Sequence, residues 1–245
     1  MKGRKTMSLF KKTKKNIINS AILDLRNYSP QALMNIDEIN SAITILPDVQ
    51  DDAFYEAYSM IPVKNMASPI KAAPDKKFST LNGLSEITSV TQDDNTLYIV
   101  NGSAVAYGFD YDKTIDVLVN GMLVYDETCK VNTVIDNGLL CKADFVIKSA
   151  KLYADKVTLD AQFFENIDDS TVICAGNKIF IDPDVSLDLL KSKKIMLASG
   201  NKIICSKDII GYITSISAVG NKITDYEEEA KHKSIYKSKN KYRNF

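Results

Sequence analysis

The chain has no tryptophan, one histidine (His232) and only four cysteines in 245 residues. Each shortage excludes some chemistry. With its single histidine in a basic C-terminal segment, the chain lacks an essential member of a Ser-His-Asp, Cys-His or histidine-based zinc site. Cys129, Cys141, Cys174 and Cys205 show no CxxC spacing and are too sparse for a disulfide framework, so they are expected to be small buried apolar side chains. Without tryptophan a sugar platform would have to be built from tyrosines such as Tyr98, Tyr107, Tyr125 and Tyr153. Neither GxxxxGK[ST] nor GxGxxG occurs, which leaves nucleotide chemistry without a phosphate loop. No apolar run approaches the roughly 18 residues of a membrane-spanning helix, and the basic start has no continuous apolar stretch behind it. A cytoplasmic location is expected, and no catalytic, cofactor or metal residue is assigned.

Net charge is zero, with 31 basic and 31 acidic side chains, but the charge is segregated. Residues 1–15 carry seven basic side chains and no acid, and residues 226–245 carry six basic against Glu227, Glu228 and Glu229. That leaves 18 basic and 28 acidic side chains, a charge of −10, on residues 16–225. The expected organisation is therefore a basic disordered tail over 1–15, a folded domain over 16–225 and a second basic disordered tail over 226–245. Leu9 and Phe10 among the lysines suit a weak contact with an anionic membrane at the inner surface. The acidic body disfavours nucleic acid.

What the chain does have is a repeat. Asn-Gly pairs occur at Asn82-Gly83, Asn101-Gly102, Asn120-Gly121 and Asn137-Gly138, with glycine spacings of 19, 19 and 17. The order inverts to Gly-Asn at Gly176-Asn177, Gly200-Asn201 and Gly220-Asn221, spaced 24 and 20 apart. An unmarked unit near Ala154-Asp155 fills the gap. Upstream, INSAI occurs at Ile18 and again at Ile39, with a weaker echo in KNMASPI from Lys64. Such recurrence suits a solenoid, in which parallel strands pair coil to coil and the chain turns at one place each time. Glycine tolerates positive φ there, and asparagine stacks its amide on the rung below. The expected fold is mainly β with short helices: one elongated right-handed solenoid of about eleven coils, period 19–24 residues. The alternative use of Asn-Gly, a hairpin turn in an antiparallel sheet, requires no such constancy of period.

At the last three corners Val172, Met196 and Ile216 lie four residues before the glycine, Cys174, Ala198 and Ala218 two before, and Ile179, Ile203 and Ile223 three after. These nine are expected to point inward together, with Lys178, Lys202 and Lys222 outward. The pattern resembles the LxLxxNxL core of leucine-rich repeats, with Met196, Ala198, Asn201 and Ile203 at its positions and leucine absent from them. That resemblance implies coils of strand plus short helix, and segments 29–36, 50–61, 160–167 and 183–194 read as those helices, with Pro183 opening the last if Asp182 caps it. The 17- to 19-residue coils between them leave room only for a plain β-helix. Hexapeptide-repeat acyltransferases resemble such solenoids too, but their histidine and hexad period are missing here.

Paired carboxylates at Asp51-Asp52, Asp93-Asp94, Asp168-Asp169 and Asp182 with Asp184 sit beside turn residues or helix starts, where aspartate bonds its own backbone. Their expected role is capping. The in-register lysines Lys178, Lys202 and Lys222 form the one candidate partner-binding strip. These features favour a non-enzymatic protein-interaction or structural scaffold, binding a protein partner or itself. The layout of solenoid plus basic N-terminal segment also looks like the bactofilin class of cytoskeletal polymers, which implies end-to-end assembly. A carbohydrate-active enzyme on a parallel β-helix is the third class, using aspartates along the face.

Overall fold

A computed structural model describes residues 15–49, 51–64, 69–111, 113–136 and 138–231. Asn137, His232, most of KNMASPI and nearly all of the N-terminal basic segment lie outside the described residues. The chain is mainly β, with short helices and parallel strands, and it divides into two units between Lys76 and Lys77.

In the first unit β1 (Ile17–Asp24), α1 (Pro30–Leu33), β2 (Glu38–Pro47), α2 (Asp52–Ser59), β3 (Val63–Lys64) and β4 (Ile70–Ala72) follow in order. The two INSAI strings are neighbours: β1 and β2 run parallel with Ile18 opposite Ile39, Asn19 opposite Asn40 and Ile22 opposite Ile43. Identical residues thus occupy identical sites one step apart, and the Asn40 amide donates to Asn19 Oδ1 at 3.0 Å. β2 also pairs in parallel with β3 and β4. Both helices start on a cap: Ser29 Oγ accepts from Ala32 N–H, with Pro30 in the first turn, and Asp51 accepts from Phe54 N–H at 3.2 Å. They cover a core of Leu25, Leu33, Ile39, Leu46 and Phe54. Each such side chain removed from water contributes about 1.5–3 kcal/mol.

The second unit opens with four strand-corner-strand repeats: β5 (Lys77–Leu81) and β6 (Leu84–Thr88), β7 (Thr96–Val100) and β8 (Ser103–Tyr107), β9 (Lys113–Val119) and β10 (Met122–Tyr125), β11 (Cys129–Asp136) and β12 (Leu139–Lys142). Four more follow, now with helices between them: β13 (Ser149–Tyr153) and β14 (Lys156–Leu159), α3 (Ala161–Asn166), β15 (Thr171–Ala175) and β16 (Lys178–Ile181), α4 (Leu187–Lys191), β17 (Ile195–Ser199) and β18 (Lys202–Cys205), α5 (Ile210–Ser215), β19 (Ser217–Val219) and β20 (Lys222–Asp225). Each strand pairs with its counterpart in the next repeat. This gives four sheets, ordered β5-β7-β9-β11, β6-β8-β10-β12, β13-β15-β17-β19 and β14-β16-β18-β20. The strand pairs found are parallel, which removes the hairpin alternative. A bulge between Thr133 and Ile135 adds one residue to β11, so the step from β9 is 16 residues before it and 17 after it.

The ladder is not one continuous stack as expected. β12 pairs with β10 and β13 with β15, and the two are not partners, so pairing stops between Lys142 and Ser149. The intervening segment buries Ala143, Phe145 and Ile147 in alternation. It is fixed by Asp126, a fully buried carboxylate that accepts from Thr128 N–H at 2.8 Å and Ile147 N–H at 2.7 Å. The sheets β6-β8-β10-β12 and β13-β15-β17-β19 then pack on each other through Val105, Met122, Val124, Val172, Cys174 and Ala198.

This packing corrects the inward set of nine. Val172, Cys174 and Ala198 face the neighbouring sheet, whereas Ile173, Ala175 and Leu197 join Ile179 and Ile203 in a separate core with Phe164, Leu190 and Ile213 of the helices. All five residues of β15 are buried, because both faces of its sheet are covered, and alternation then no longer marks inside from outside. Helix α4 is also shorter than expected: Ser186 caps it, and Asp182 instead accepts from Asp184 N–H at 3.2 Å, which leaves Pro183 in the preceding turn. α5 went unforeseen because Gly211, Ile213 and Thr214 are poor helix formers. Residues 226–231, expected in a disordered tail, are helical.

Candidate functional site

Both corner series stand in columns. A methyl on Gly102 would lie 2.6 Å from Gly83 N and 2.7 Å from Gly83 C; on Gly121 it would meet Gly102, and on Gly138 it would meet Gly121. In the second column Gly220 lies over Gly200, Gly200 over Gly176, and Gly176 over Ala154, so the unmarked unit is a rung of the same ladder. The reason for glycine differs from the expected one. Of the column members only Gly83 has positive φ, at 77°. The others are glycine because the carbonyl of the rung below occupies the space of a Cβ.

Beside each glycine column the asparagines link rung to rung. Asn101 Nδ2 donates to Asn82 Oδ1 at 3.2 Å and Asn120 Nδ2 to Asn101 Oδ1 at 3.4 Å. In the second series Asn221 donates to Asn201 at 3.2 Å, Asn201 to Asn177 at 3.0 Å, and Asn177 to Asp155 at 2.7 Å. The two glycine columns line an open cleft of about 390 Å³ that also touches Leu84, Ser103, Met122 and Leu139. Where glycine lines it the wall is main chain, positioned by strand register.

Lys178, Lys202 and Lys222 are register partners on β16, β18 and β20. Strand spacing of about 4.8 Å would leave neighbouring ammonium groups repelling by about 3 kcal/mol at an effective dielectric near 20. The chain supplies the counter-charge itself. Helix 226–231 crosses the row: Glu229 accepts from Lys202 at 3.0 Å and Lys178 at 3.4 Å, and Glu228 from Lys222 at 2.7 Å. Glu229 is only 6% exposed. Burial pushes its carboxyl up, but the hydrogen bonds from Lys202 and Lys178 outweigh that and hold it below its ordinary value. The segment is tied down by Tyr226, whose hydroxyl donates to Ile181 O at 2.7 Å, and by Asp225, which accepts from Glu228 N–H at 2.8 Å. Nothing in the spacing of the lysines alone announced this; the signal was the EEE run immediately after the last strand.

Several other titratable groups are engaged in structure. Asp169 accepts from Lys194 N–H at 3.0 Å, Asp184 from Ala161 N–H at 3.1 Å, and Asp94 pairs with Lys113. Asp24, hydrogen-bonded by Arg26, sits below the usual carboxylate range. Tyr107 is pushed up to about 12 by burial and by its hydrogen bond to Glu86. Burial likewise raises the thiols of Cys129, to about 12, and of Cys174 and Cys205, to about 11, which suits packing better than nucleophilic attack. Among the described residues no group of three or more His, Cys, Asp or Glu side chains could hold a metal ion, and no helix is long and apolar enough to cross a membrane.

Comparison with protein-family models, curated proteins and solved structures finds no match for this chain. The likeness to leucine-rich repeats and to bactofilins therefore extends no further than a layout of stacked parallel strands.

Proposed function

We propose that the chain is a non-enzymatic repeat protein that acts as a protein-interaction or structural scaffold in the cytosol. Its repeats wind as right-handed parallel β-solenoid coils, the hand that parallel crossovers favour. In the second unit they make two four-coil stacks side by side in place of one continuous stack. The observation that carries this reading is the unbroken register of the corner columns, from Gly83 through Gly138 and from Ala154 through Gly220. That register builds a long cleft and regular strand faces, whereas the perturbed ionisable groups serve ion pairs and burial. Solenoids of this kind bind along such regular surfaces.

The test is co-purification under native conditions followed by hydrogen-exchange footprinting on the second unit. A partner that protects a contiguous strand face or the cleft supports the scaffold. Turnover of an acidic polysaccharide by the purified chain would replace it with an enzyme, and filaments in light scattering would replace it with a self-assembling polymer.

A further inference from the structure

The lysine row is a surface with its occupant already in place. Lys156, Lys178, Lys202 and Lys222 stand at one register position across β14, β16, β18 and β20. Repetition of a strand places them there, and repetition of like charge is costly unless anions lie against it. The chain meets three of the four with two adjacent carboxylates on one short segment, Glu229 bridging Lys178 and Lys202 and Glu228 engaging Lys222. Lys156 extends the row, 58% exposed, with Asp155 at 3.8 Å. Glu227 and Glu228 are exposed, and further anchors are the hydrogen bonds at Tyr226 and Asp225 and one from Thr224 Oγ1 to Glu228 at 2.9 Å. A short surface segment seated through ion pairs and hydrogen bonds is exchangeable for another of the same chemistry.

We propose that the row Lys156-Lys178-Lys202-Lys222 binds an acidic peptide segment of a partner protein, and that Glu228 and Glu229 occupy it in cis until the partner displaces them. This rests on the scaffold reading and names the chemistry of its partner. The carboxylates now seated there show what the row accepts: neighbouring acidic side chains carried on one turn of helix. A partner competing for the row must bring more than two acids, since it has to outdo a tethered segment at high effective concentration.

The test uses the full chain and a fluorescein-labelled synthetic peptide of residues 224–231, TDYEEEAK, as probe in anisotropy titrations at low salt. In the E228Q/E229Q chain the vacated row should bind this peptide at least tenfold more tightly than the wild-type chain does, with affinity falling as salt is raised and on adding K178A or K202A. Tyr226→Phe leaves every charge in place and removes one anchor; it should give a smaller gain of about threefold and serves as the second variant should the double one fail to fold. Two results overturn the proposal: variants that remain folded by far-ultraviolet circular dichroism yet bind the peptide no better than wild type, or a single-stranded oligonucleotide that displaces the peptide at equal concentration. The footprinting experiment on the cleft and strand faces does not depend on these substitutions, so the scaffold reading can survive the failure of this one.

Discussion

Substituting Gly102 by alanine separates the two reasons a corner can demand glycine. A Cβ at Gly102 would press on the carbonyl oxygen of Gly83 and lie 2.6 Å from its nitrogen and 2.7 Å from its carbonyl carbon. All three are main-chain atoms, so no side chain can swing aside. The coils cannot part locally either, because β8 is bonded to β6 and β10, and β7 to β5 and β9. Overpacking of this kind costs about 1–3 kcal/mol even where side chains give, so about 3 kcal/mol is expected, near 6–12 °C in Tm for a unit of this size. Gly83→Ala meets nothing within 4 Å and suffers only from φ +77°, a cost of about 1–2 kcal/mol. Gly211→Ala, inside α5 with open space around it, should stabilise by about 0.5–1 kcal/mol. Urea unfolding followed by circular dichroism ranks the three. The reasoning fails if Gly102→Ala lies within 1 kcal/mol of wild type, or if Gly83→Ala is the more damaging of the pair.

Two further outcomes follow from the polar contacts. Asn82 is the bottom rung of its amide column and only accepts, so Asn82→Asp should change stability by no more than about 0.5 kcal/mol, while Asn101→Asp, which loses the donor to Asn82 and sets a carboxylate against its oxygen, should cost about 1–2 kcal/mol in the same unfolding assay. Glu229 has a folded pKa depressed below 4.5, so the stability it contributes is present above that value and lost as pH falls through the lower one; the Tm difference between wild type and E229Q should be constant from pH 7 to about 5 and shrink below pH 4.5.

The repeat was legible because it is written in backbone constraints. A glycine beneath whose Cα the carbonyl of the neighbouring rung passes has no substitute, and an amide that must both give and accept a hydrogen bond has few. The INSAI pair was legible for the same reason, since residues in register one step apart meet the same surroundings. What the pattern did not disclose was the side-by-side packing of two sheets. Val172 and Ile173 are equally apolar and equally buried, and only the arrangement of a distant sheet decides that one faces Val105 and the other Phe164. The break after Lys142 was hidden by arithmetic: 38 residues equal two periods, yet they hold a crossover pinned by Asp126, a residue whose importance depends on Thr128 and Ile147 rather than on any spacing. The lysine strip was visible, its cover was not, because a charge run at a chain end is usually solvated.

The rungs that depart from the repeat mark where a stack begins. Ala154 stands where every higher rung of its column has glycine, and Asp155 stands where every higher rung has asparagine. Both departures have one cause. A bottom rung has no carbonyl beneath its Cα, so a methyl fits, and it has no amide beneath to which it must donate, so a carboxylate that only accepts from Asn177 suffices. The same substitutions close that edge to extension. A further coil laid below in the same register would bring its corner carbonyl to where the Ala154 methyl stands, as Ala154 itself does toward the glycine position above it. It would also set a polar oxygen against Asp155. Stacking in register past β13 and β14 is thus opposed by both sterics and charge, which is one of the ways β proteins protect their exposed edges.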